Sequence, residues 1–106
     1  MRGVIKGVLA EELENSLRMQ KEYEEALRRL PEGCLAVRKI KRHQYYYLAK
    51  RINDKVRYIY KGKISEEEKK KYQEAKELRA KYRKLLSQVK KQIRFLRSSL
   101  RGKEAI

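Results

Sequence analysis

The sequence predicts an α+β protein built as helix, three-stranded antiparallel meander and long helix (α-βββ-α), with the two helices pairing as a coiled coil. Three patterns predict it. Leucine recurs at helical spacing up to residue 30, β-branched residues and tyrosine crowd positions 34–61, and an apolar stripe of period three and four runs from 72 to 100. With 106 residues the chain is expected to be a single domain, 1–106.

The first element is a helix over 9–30. Leu9, Leu13, Leu17, Tyr23, Leu27 and Leu30 mark one face, flanked by Met19 and Ala26. Acids near the start (Glu11, Glu12, Glu14) and Arg28 and Arg29 near the end suit the helix dipole. Pro31 and Gly33 stop it, since proline cannot continue a helix and glycine accepts the backbone angles that leave one.

From 34 to 62 the pattern reads as a sheet. Strands are expected over 35–41, 44–51 and 55–61, with Gly62 ending the third. Asn53-Asp54 suits a two-residue hairpin turn, because both residues tolerate positive φ. Arg42-His43 is expected to turn the first hairpin, which pairs Val37 with Leu48 and Ile40 with Tyr45.

The last element is a long basic helix over 65–101. Ser65 and Glu68 form a capping box, each side chain reaching a backbone donor that the first turn leaves unpaired. Its stripe is Tyr72, Ala75, Leu78, Tyr82, Leu85, Val89, Ile93, Leu96 and Leu100, with Leu86 and Phe95 beside it. At 1.5 Å per residue this helix spans about 50 Å, against about 33 Å for the first. The unmatched length predicts a second copy of the chain as partner, a homodimer.

Charge narrows the function. Thirty Lys and Arg against 14 Asp and Glu give a net charge of +16, which a compact fold holds more easily beside a polyanion. The first-helix segment, 9–30, has six acids against four bases, whereas residues 31–64 hold ten bases and two acids, and 65–106 hold fourteen bases and six acids. The excess therefore lies on the sheet and the second helix, whose acids stop at Glu77 and resume at Glu104.

Alternation along the strands divides the sheet into two faces. One carries Leu35, Val37, Lys39, Lys41, Tyr46, Leu48, Lys50, Arg57, Ile59 and Lys61. The other carries Ala36, Arg38, Ile40, Tyr45, Tyr47, Ala49, Arg51, Val56, Tyr58 and Tyr60. The tyrosine face is expected to pack on the helices, because its rings can be buried while their hydroxyls stay wet at an edge. The basic face is then free to enter a DNA major groove. Its contacts would be Lys39, Lys41, Lys50, Arg57 and Lys61, joined by Arg83, Lys90 and Arg94 of the basic helix. In the reverse arrangement, Leu35, Val37, Leu48 and Ile59 form the core. Tyr45, Tyr47, Tyr58 and Tyr60, with Arg38 and Arg51, then make a stacking platform for single strands.

The segment Leu30-Pro31-Glu32-Gly33, the run Tyr45-Tyr46-Tyr47-Leu48, Lys55-Val56 and Tyr60-Lys61-Gly62-Lys63 together resemble a small prokaryotic family that has no established activity. The resemblance covers residues 28–64 and implies a helix, a Leu-Pro-x-Gly link, a tyrosine-rich hairpin and a basic helix. It transfers no functional residues. The order of three strands and a helix also resembles, in topology alone, the arm-type DNA-binding domains of phage integrases; similar hairpins occur in mobile-element proteins.

The expected function is thus non-catalytic nucleic-acid binding, duplex DNA ahead of RNA. The alternatives are a coiled-coil interaction module and a ribosome-associated protein. No cofactor, metal, membrane or small-molecule substrate is expected, and the expected location is the cytoplasm. Cys34 has no partner cysteine and is expected to be a small buried residue; His43 stands alone in a turn. No Gly-rich phosphate loop or metal-spaced cluster appears. No signal peptide is expected, because Glu11 and Glu12 follow a short, unsustained apolar start, and no apolar run approaches the roughly 18 residues of a membrane span.

Overall fold

The computed structural model describes the backbone of residues 2–104 and the side chains of residues 3–102. The order is α1 (Arg2–Arg29), β1 (Cys34–Ile40), β2 (His43–Ile52), β3 (Lys55–Gly62) and α2 (Glu66–Glu104). This is the predicted α-βββ-α fold with paired helices. The chain divides into two compact units, one made of residues 1–29 and 81–106, the other of residues 30–80. The continuous helix α2 contributes to both.

In the first unit, α1 and the later part of α2 run antiparallel. Tyr23 meets Tyr82 with ring centroids 6.1 Å apart, while Leu13 shares a groove with Arg94, Arg97, Leu100 and Arg101. Buried and half-buried positions alternate by four and three along both helices. On α1 they include Leu9, Leu13, Ser16, Gln20, Tyr23 and Leu27; on α2 they include Tyr82, Leu86, Val89, Ile93, Leu96 and Leu100. That is the heptad seam of a coiled coil.

The seam differs from the leucine stripe. Leu17 is 38% exposed, and Ser16, at 1%, is the most buried residue described. A strict alternation of four and three steps from Leu13 to Ser16 and Gln20, so the seam accepts a small polar residue where the helices pack closely. No buried side-chain polar atom among the described residues lacks a hydrogen-bond partner. Gln20 keeps its amide outward, donating to Glu24 Oε1 at 3.2 Å.

Helix α1 also begins seven residues before the expected start, at Arg2, and has no acid in its first turn. Two helical glycines cost about 1 kcal/mol each, which weakens but does not stop a helix. Glu11, Glu12 and Glu14 therefore lie too far along to meet the dipole's positive end. The lengths now become about 42 Å for α1 and about 58 Å for α2. The first part of α2 belongs to the sheet unit and the remainder pairs with α1. The expectation of a second copy loses the length mismatch that motivated it.

In the second unit the sheet order is β1-β2-β3. The β2–β3 register is the one that the expected two-residue turn at Asn53-Asp54 dictates, Leu48 opposite Ile59, Lys50 opposite Arg57 and Tyr47 opposite Tyr60. Asn53 and Asp54 have φ of 51° and 64°, the signs of a type I′ turn. The first hairpin turns one residue earlier than expected, on Lys41-Arg42, so Val37 pairs with Tyr46 and Leu35 with Leu48. Moving the turn by one residue shifts the register by two, which preserves both faces. A bulge between Tyr46 and Tyr47 leaves Lys61 as the extra residue before Gly62.

Two backbone positions shape this unit. Gly33 has φ of +91°, and an added Cβ would lie 2.8 Å from the Ala49 carbonyl oxygen and 2.9 Å from Leu48 Cδ1. Only glycine lets the link from α1 pass so close to β2. The opening of α2 is capped as predicted: Glu68 N–H donates to Ser65 Oγ at 3.2 Å.

Two stability predictions follow from these positions. Lys41 holds φ of 56°, which costs a side-chain-bearing residue about 1–2 kcal/mol. Lys41→Gly should therefore stabilise the hairpin by about 0.5–1 kcal/mol after the extra backbone entropy of glycine, read as a raised denaturant midpoint. At the seam, Ser16→Ala should stay within about 0.5 kcal/mol of the parent, and Ser16→Leu should destabilise by about 1–3 kcal/mol through overpacking. Thermal unfolding followed by circular dichroism distinguishes the two.

Candidate nucleic-acid interface

The sheet uses the opposite face from the one expected to form its core. Tyr46 and Leu48 are buried at 8% and 7%, on the same face as Leu35 and Lys50. An open groove of about 590 Å³ lies on this side, lined by Cys34, Leu35, Val37 and Tyr46 and by α2 residues including Lys69, Tyr72 and Lys76. Aliphatic Leu35 and Leu48, directly opposite each other, supply the apolar contact, and the lysines escape burial by carrying their charges to the rim.

Polar contacts secure this packing. Lys69 Nζ stands 4.9 Å from the Tyr46 ring centroid and 3.0 Å from Glu66 Oε1. Tyr46 first, and then Glu66, hold the Lys69 proton more tightly than an ordinary lysine holds its own. Arg79 donates to the Pro31 carbonyl oxygen at 2.6 Å, tying α2 to the link. The Arg79 guanidinium also lies 3.8 Å from Cys34 Sγ. Cys34 is exposed rather than buried, at the start of the edge strand β1, where it pairs with Ala49 of β2.

The basic residues chosen from sequence ring this packed centre. By register, Lys39 and Lys41 lie at the end with the first turn, as does Lys61 at the bulge; Lys50 and Arg57 pair near the second turn. Lys50 is engaged with Glu32 at 3.1 Å. Lys39, Lys41, Arg57 and Lys61 are exposed, and Lys50 is half-buried. On α2, Arg83, Lys90 and Arg94 are exposed, in the helical unit. His43 begins β2, its ring 6.4 Å from that of Tyr45.

The free face is the tyrosine face. Tyr58 is 66% exposed and Tyr60 60%, with Val56 and Ile40 about half exposed beside them. Tyr60 touches both neighbours on β2: its ring lies 5.4 Å from that of Tyr47 and 6.4 Å from that of Tyr45. Tyr58 has no ring partner among the described residues. It borders a cleft of about 360 Å³ shared with Ala36, Val37, Arg38 and Tyr47. The small side chain of Ala36, opposite Tyr47, leaves this notch open. Arg38 and Arg51 share the face near its opposite ends, and none of the three strands contains an acid.

Such a surface offers π faces for stacking and cations for phosphate, with nothing to repel a polyanion. Tyr45, Tyr47, Tyr58, Tyr60, Arg38 and Arg51 are the alternate parity of the same strands, the reverse arrangement that the sequence also allows. Neither face carries an acid, so the sign of the charge gives no guide to which is free. No group of three or more His, Cys, Asp or Glu side chains among the described residues is placed to hold a metal ion. No helix is long and apolar enough to cross a membrane among the described residues.

No family model, curated protein or solved structure matches this chain.

Ring packing and ligand stacking separate by mutation. Tyr60→Leu, which breaks two aromatic contacts, should destabilise by about 0.5–1.5 kcal/mol. Tyr58→Leu, without a ring partner, should stay within about 0.5 kcal/mol. Urea unfolding of the two variants checks the difference.

Proposed function

We propose that the protein binds single-stranded nucleic acid without catalysis, stacking bases on the tyrosine face of its sheet. The observation that carries the reading is the acid-free platform of exposed Tyr58 and Tyr60 beside half-buried Tyr45 and Tyr47, with exposed Arg38 and Arg51 at its margins. Stacking on aromatic rings tolerates any base, and the +16 charge supplies the sequence-independent attraction to phosphate. The packing of Leu35, Tyr46 and Leu48 toward α2 supports a single strand over the duplex reading. The lysines and Arg57 that a groove-binding sheet needs flank Tyr46 and Leu48, which are buried, so the middle of that face is not open to a groove.

The test is a titration of the full chain into labelled single-stranded DNA, RNA and duplex DNA of equal length, read by fluorescence anisotropy. Both single strands should bind more tightly than duplex. Tyr58→Leu should weaken single-strand binding by about 1–3 kcal/mol, roughly 5- to 150-fold, with stability intact. Duplex binding that equals or exceeds single-strand binding, and falls when Lys39, Arg57 and Lys61 are changed to alanine, would return the groove reading. Binding to none of the three would favour the coiled-coil interaction module.

A further inference from the structure

The helical unit carries a second surface that the tyrosine platform does not use. From Leu78 to Lys103 the chain has no acid, and Lys90, Lys91, Arg94, Arg97 and Arg101 of this stretch are all exposed on α2. Arg83, Lys90, Arg94, Arg97 and Arg101 follow one another at seven, four, three and four residues, which keeps them on one side of the helix over about 27 Å. Arg94, Arg97 and Arg101 line a groove floored by Leu13 and Leu100, so their stems have an apolar bed and their charged ends reach solvent.

Six acids of α1 stand in the same unit, yet none neutralises this row. Among the described residues, Lys6 aside, the ion pairs are Lys50–Glu32 and Lys69–Glu66, both in the sheet unit. The arginines are therefore free of carboxylate partners. Phe95, one turn after Lys91 and about a third of the way round the helix from the arginine row, is 67% exposed. A phenylalanine so exposed on a charged helix stabilises nothing within the fold.

We infer that this stretch of α2 is a second nucleic-acid contact, in which the row from Lys90 to Arg101 binds backbone phosphates and Phe95, reached as the strand passes round the helix by way of Lys91, stacks a base. A protein partner would need an apolar centre enclosed by a charged rim. Here a single ring stands among cations and serines, which suits a phosphate polymer with bases to stack. The inference rests on the single-strand reading and adds to it a surface dominated by charge, whereas the sheet is dominated by stacking.

The two surfaces differ in salt dependence, and that is the test. Each phosphate neutralised on a single strand contributes about −0.7 to the slope of log K against log salt. With a single-stranded thymidine oligonucleotide and the full chain, Arg94→Gln, Arg97→Gln and Arg101→Gln combined should make the slope shallower by about 2. The same three positions changed to lysine should restore it, which excludes misfolding as the cause. Phe95→Ala should lower affinity about fivefold or more without changing the slope.

An unchanged slope in the glutamine variant overturns the phosphate contact, and unchanged affinity in Phe95→Ala overturns the stacking contact. If the slope is unchanged while Tyr58→Leu still weakens binding, the sheet platform stands alone. If the parent protein binds no single strand, both readings fall together.

Discussion

The cross-strand pair Leu35–Leu48, with Tyr46 beside it, is the contact on which the surface chemistry depends. Side chains in a strand alternate, so burying one of these residues commits every second residue of three strands to the same side. Lys39, Lys50 and Arg57 are thereby drawn to the packed side, and Tyr45, Tyr47, Tyr58 and Tyr60 to the open one. The selection rests on the economy of burial. Two leucines lose apolar surface to the core without leaving a polar group behind, whereas four tyrosines would bring four hydroxyls that each need a partner.

The link and α2 hold that choice in place. Gly33 lets the chain pass against Leu48 and Ala49 at a distance no side chain would permit, and Arg79 binds the Pro31 carbonyl. Lys69 covers the Tyr46 ring with its ammonium beside Glu66. Cationic residues of α2 thus serve the fold in the sheet unit, where they meet a ring, a carboxylate or a carbonyl. Among the described residues further along the same helix they meet none of these. One continuous basic helix is structural over one stretch and has unspent charge over the next.

The helical seam shows a related division between pattern and packing. Leucine at 9, 13 and 17 advances by four at each step, which drifts around a helix with 3.6 residues per turn. A seam between two helices must alternate four and three, so it leaves Leu17 at the surface and takes Ser16 and Gln20 instead. Hydrophobicity alone favours the leucines; the geometry of a partner helix favours the spacing.

Much of this protein was legible in its residues. The order of elements, the positive-φ turn at Asn53-Asp54, the β2–β3 register, the capping of α2 by Ser65 and the acid-free length of α2 all follow from local chemistry. Each depends on residues close together in the chain, where torsional preference, hydrogen bonding and periodicity act without a distant partner. The membership of the two sheet faces was equally local, and it survived a turn displaced by one residue. Which face became the core was decided by the tertiary structure, as were the exposure of Cys34, the burial of Ser16 and the isolation of the α2 arginines from the acids of α1. Those outcomes depend on the shape of the element packed opposite, and parity along a strand is blind to what lies across from it.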